Sequence, residues 1–110
     1  MKKIVLLIFA LIVLKVNAVE ILNEFYVMQK VIPFIEKGDI YDLNGVKVKA
    51  TKVDYKILKA LSTSDDPFYF YDSNRQQTSA RIGDYLISPL SLSEIYSVDM
   101  NVFKENYIKD

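Results

Sequence analysis

The chain has no cysteine and no histidine among its 110 residues. The first absence excludes disulfides and thiolate nucleophiles. The second removes imidazole bases and, together with the first, the usual zinc and haem ligand sets. Only a carboxylate-oxygen metal site is compatible with this composition, and no Asp-rich loop of the calcium-binding kind is present. No cofactor and no metal are therefore expected. Net charge is absent as well, with fourteen Lys and Arg against fourteen Asp and Glu. A long hydrophobic run is also missing. Ile4 to Leu14 is apolar throughout, but eleven helical residues reach about 16 Å against roughly 30 Å of bilayer hydrocarbon.

That short run reads instead as part of a secretory signal peptide. Met1-Lys2-Lys3 supplies the basic start, and Val16 and Ala18 occupy the minus-three and minus-one positions of a small-residue cleavage site. Cleavage after Ala18 is expected, leaving a single domain at 19–110 in the periplasm or the medium, with no membrane span. Those residues carry eleven basic and fourteen acidic side chains, a net charge of −3. A negative chain is poorly suited to nonspecific nucleic-acid binding, so no nucleic-acid partner is expected. The missing cysteine also suits an oxidising compartment, where a lone thiol is a hazard.

Residues 26–32 read as a strand, with helix as the rival because Met28, Ile32 and Ile35 share helical spacing. Pro33 weighs against a long helix there. Ile40-Tyr41-Asp42-Leu43 and Val46 to Ala50 flank Asn44-Gly45, the strongest hairpin signal in the chain. Lys47 and Lys49 then fall on the wet face. Thr51 to Leu61 reads as helix, with Thr51 and Asp54 as a capping box and Val53, Ile57, Leu58 and Leu61 on one face; a short strand is the alternative. Ser62 to Pro67 is loop. Phe68-Tyr69-Phe70-Tyr71 is expected to be a strand with one aromatic pair in the core. Asp72 to Ser79 is a polar hairpin loop or excursion.

The best-specified stretch is Arg81 to Tyr107. Gly83-Asp84 is a turn pair, Tyr85-Leu86-Ile87 a strand, and Pro89 its end. Leu90 and Leu92 alternate with Ser91 and Ser93, which favours continued extended structure. Ile95 to Val98 is the return strand. Asp99 is placed to cap a helix over 100–107, with Met100, Phe103 and Tyr107 on one face. The expected fold is α+β: a small twisted, mainly antiparallel sheet, a short C-terminal helix, and a further helix if 51–61 is helical.

Gly83-Asp84-Tyr85-Leu86-Ile87, Glu94 to Val98 and Phe103-Lys104-Glu105-Asn106-Tyr107 together resemble a small phage and bacterial domain family named for a Pro-Gly-Asp-Tyr-Gly motif. Ile82 stands where that motif has its proline, and Leu86 where it has its last glycine. The resemblance implies a small sheet with a terminal helix. It implies no catalytic residue.

Three functions are compatible with these residues. The leading one is a small non-catalytic binding protein outside the cytoplasm, of the inhibitor or immunity-protein kind, steered to a basic partner by its charge. Its candidate partner surface is Tyr69, Tyr71, Asp84, Tyr85 and Glu94, with a protein as the expected partner. The second is a structural accessory of the envelope. The third is an enzyme using Asp84 and Glu94 as a carboxylate pair across a hairpin, for which no supporting motif is present.

Overall fold

The computed structural model describes residues 19–110. The expected leader, residues 1–18, lies outside the described residues. The chain is α+β, with three helices and eight strands in two sheets among the described residues. In chain order these are β1 (Ile21–Leu22), α1 (Glu24–Glu36), β2 (Ile40–Leu43), β3 (Val46–Lys52), α2 (Tyr55–Ala60) and β4 (Phe68–Tyr71). They continue with β5 (Gln77–Ala80), β6 (Tyr85–Pro89), β7 (Tyr96–Val98), α3 (Met100–Asn106) and β8 (Ile108–Lys109). No helix among them is long and apolar enough to cross a membrane.

The structure corrects the strand expected at 26–32, which is part of α1. Asn23 caps this helix, its Oδ1 accepting from the Phe25 N–H at 2.8 Å. Val27, Val31 and Ile35, each four residues after the last, are completely buried. Pro33 lies inside the helix but on its exposed side, and Gln29, whose carbonyl loses its bond, is exposed too. Water can therefore reach that carbonyl. An interior proline costs about 3 kcal/mol, while three fully buried aliphatic side chains contribute about 1.5–3 kcal/mol each, so burial wins.

The hairpin forms as expected. Asn44 (φ +51°) and Gly45 (φ +90°) both take left-handed angles between paired Leu43 and Val46, the geometry of a type I′ connection. Strand β3 runs on to Lys52, where it pairs with Tyr85. Thr51 is consequently a strand residue opposite Leu86, not a helix cap. Asp54 caps α2 instead, its Oδ1 accepting from the Ile57 N–H at 3.1 Å. Val53, Ile57, Leu58 and Leu61 are all buried, as their spacing predicts. A further correction falls at 90–93, which turns rather than extends. The Leu92 N–H donates to the Pro89 carbonyl, and Leu92 takes φ +59° while packing against the core.

Two sheets replace the single sheet expected. One is β7-β6-β3-β2-β8, antiparallel throughout. The other is β1-β4-β5, with β1 parallel to β4. Their edges meet where the Ser97 hydroxyl of β7 donates to the Ser79 carbonyl of β5 at 2.8 Å. The larger core joins α1 and α2 to Phe68, Phe70 and Ala80 of the small sheet and to Leu86 of the large one. The large sheet's other face holds a separate cluster of Ala50, Ile87 and Phe103. Alternation along β6 explains the two cores: Leu86 points to one face and Ile87 to the other.

Candidate functional site

The outer face of the large sheet is rich in tyrosine. Cross-strand register places Tyr41 opposite Val48, Ala50 opposite Ile87, Ile87 opposite Tyr96, and Tyr85 opposite Val98, with all these side chains on one face. Helix α3 covers the middle of that face. Asp99 caps it, accepting from the Asn101 N–H at 2.8 Å and the Val102 N–H at 3.3 Å. The cap sets the helix to deliver Phe103 inward, where it is 4 % exposed.

Phe103 sits between two tyrosine rings. Tyr85 stacks on it at 3.7 Å between centroids, 10° from parallel, and Tyr107 at 4.7 Å and 13°. Tyr41 meets it edge-on at 4.8 Å and 68°. Tyr96 and Val98 complete the cluster. The four tyrosines are each half-buried, so the rings are held rigidly while part of each remains open to water. Burial pushes the Tyr107 phenol above its ordinary value. Burial, reinforced by Tyr85 and Asp39, does the same to Tyr41. The Tyr96 hydroxyl donates to Glu94 Oε1, and that carboxylate is the main cause of a pKa pushed up to about 12. Burial and the charges of Glu94, Asp72 and Glu24 add to it.

The candidate surface residues divide into three places. Tyr85 and Glu94 belong to this face, Glu94 through its bond to Tyr96. Tyr69 and Tyr71 lie on the small sheet, on the side opposite the buried Phe68 and Phe70; Tyr71 is 42 % exposed. Asp84 is not a surface residue. It is buried, its Oδ2 accepting from the Arg81 N–H at 3.0 Å and its Oδ1 from the Met100 N–H at 2.9 Å. The Asp84 carboxylate thus ties the turn before β6 to the first residue of α3. It also supplements the Asp99 cap, because Met100 carries one of the helix's orphan donors.

This geometry removes the carboxylate pair. Asp84 precedes the Tyr85–Val98 pair, and Glu94 lies beyond the Ile87–Tyr96 pair. The two acids therefore stand at opposite ends of the β6–β7 ladder, each engaged with a different donor. Among the described residues, no group of three or more Asp and Glu side chains is placed to hold a metal ion.

Sequence reasoning left Tyr41, Tyr96 and Tyr107 out of the candidate surface that included Tyr85. The face of Tyr85 and Tyr96 follows from strand alternation, but their meeting with Tyr41 depends on the β3–β6 register, which no local pattern specifies. A separate open cavity of about 340 Å³ is lined by Glu20 to Asn23, Tyr26, Leu61 and Ser62. Two of these residues are joined, the Tyr26 hydroxyl donating to the Leu61 carbonyl at 2.8 Å. Comparison with protein-family models, curated proteins and solved structures finds no match to this chain.

Proposed function

We propose that the chain is exported and acts as a small non-catalytic binding protein, of the inhibitor or immunity-protein kind, with a protein partner. The observation that carries this reading is the rigid tyrosine face around Phe103. Tyrosine gives large amphipathic contact area at little conformational cost, and here packing has already removed most of the rotamer freedom. The net charge of −3 over residues 19–110 supports a basic partner, which it would attract over a distance. The basic, apolar and small-residue pattern of residues 1–18 supports export, and the likeness of Arg81–Tyr107 to the small phage and bacterial family is compatible with a non-catalytic role.

The test uses the tagged full-length gene product, expressed in its own cells and recovered after mild crosslinking. A stoichiometric partner from the extracytoplasmic fraction is expected. Truncating one tyrosine of this face, Tyr96→Ala, should lower its yield by roughly tenfold or more, the effect of losing a hot-spot tyrosine. Tyr96→Ala also loses packing on the Phe103 cluster, so its urea midpoint should fall, and the yields are compared under conditions where both proteins are folded. Finding no partner, or equal yield with Tyr96→Ala and with Tyr71→Ser, would overturn the reading. A partner that is an envelope polymer rather than a protein would favour the structural role instead.

A further inference from the structure

We propose that Asn44 is a site of spontaneous deamidation and that Asp42 holds this reaction in check. Asn44 and Gly45 are both exposed at the tip of the β2–β3 hairpin. Gly45 has no side chain, and a Cβ built there would meet nothing within 4 Å, so no side chain or neighbour crowds the Asn44–Gly45 peptide from that position. The Gly45 backbone nitrogen is the nucleophile. On losing its proton to water or hydroxide it attacks Asn44 Cγ, the side-chain nitrogen takes up a proton from water, its bond to Cγ breaks, and ammonia leaves. The five-membered imide then takes up one water at either carbonyl, giving aspartate or isoaspartate. No oxidant or further reactant is needed.

Two features oppose the ring closure. The left-handed backbone of Asn44 must rotate before Cγ can reach the Gly45 nitrogen, and that rotation opens the Leu43–Val46 pair. More directly, the Gly45 N–H donates to Asp42 Oδ1 at 2.8 Å. The bond pins the nitrogen, and the adjacent negative charge disfavours an amide anion. Asp42 is itself held by Lys47, 3.0 Å from its other oxygen, and Lys47 reaches Asp110 at 2.7 Å. Isoaspartate would add a backbone methylene at the two-residue connection that sets the register of the sheet's central hairpin. The modification would therefore loosen the fold as well as add a charge.

The experiment incubates the purified chain at neutral pH and follows isoaspartate at each asparagine by peptide mapping and methyltransferase labelling. Urea midpoints confirm that every variant is folded. In the wild type, isoaspartate should accumulate at Asn44 ahead of the other asparagines, and faster when the chain is held unfolded in urea. Asp42→Ala should speed it by roughly three- to tenfold, the range spanned by the net worth of one hydrogen bond. Asp42→Asn keeps an acceptor and should lie nearer the wild type. Lys47→Met breaks the ion pairs but leaves the acceptor atom, and should change the rate little. An Asp42→Ala rate equal to or below that of the wild type would overturn the guarding role, the slower case marking Asp42 as a base. So would equal acceleration by Lys47→Met, which would mean general loosening of the hairpin. Modification concentrated at another asparagine would overturn the site.

Discussion

Replacing Phe103 with alanine tests whether the C-terminal helix is part of the fold or an appendage. Phe103 is 4 % exposed and lies within 4.8 Å, centroid to centroid, of three tyrosine rings. Its removal forfeits the burial of a whole aromatic side chain and leaves a hole that the flanking rings, anchored on β2, β6 and the end of α3, can only partly close. Truncation of a buried phenylalanine costs about 3–5 kcal/mol. Each aromatic pair carries about 0.5–1.5 kcal/mol beyond its burial, so three pairs place this site in the upper half of that range. Whole-domain stability is typically 5–15 kcal/mol, so much of it would be lost. Urea titration followed by circular dichroism reads the change. The Phe103→Ala midpoint should fall steeply, whereas Lys104→Ala, on the exposed side of the same helix, should stay within about 0.5 kcal/mol of the wild type. Phe103→Leu separates stacking from burial, since it keeps most of the apolar volume without the ring. If Phe103→Ala melts with the wild type, the cluster does not stabilise the sheet, and the tyrosine face loses the rigidity on which the binding argument rests.

Four further outcomes are expected. Asp84→Ala should leave the Arg81 and Met100 N–H groups without their acceptor, costing about 1–3 kcal/mol for each donor left unpaired, read as a lower urea midpoint and faster amide exchange at Met100. Gly38→Ala should cost about 1–3 kcal/mol or more in the same titration, because a Cβ there would stand 2.0 Å from the Ala50 carbonyl oxygen. Ser88→Ala should be neutral or stabilising, since the Ser88 hydroxyl is buried with no hydrogen-bond partner; a clear loss of stability would show that this hydroxyl is satisfied. The Tyr96 phenol ionises later in the folded chain than in the unfolded one, so its contribution is whole below pH 10 and is lost as pH rises from about 10 to 12. Phenolate absorbance should show a tyrosine titrating at about 12, and Glu94→Gln should bring it back toward its ordinary value; an unchanged titration would mean that Glu94 does not hold the proton.

Local chemistry made several elements legible from the chain alone. Asn44-Gly45 specifies its turn because few other residue pairs accept two successive left-handed conformations. Asp99 and the spacing of Phe103 and Tyr107 specify α3 because a cap and an apolar stripe are both short-range features. Phe68 and Phe70 face the core because side chains alternate along a strand. Helix α1 was decided otherwise. Its proline argues against a helix locally, and only the tertiary structure shows that the proline lies on the wet side while Val27, Val31 and Ile35 are fully enclosed. Asp84 is the same kind of case. Its sequence neighbourhood marks a turn, but the Met100 N–H that its carboxylate accepts arrives from sixteen residues away. The tyrosine face depends on three strand pairings and one helix docking at once. Residue identity sets which side chains can stack. Register, fixed by the burial of both sheet faces together, decides which of them meet.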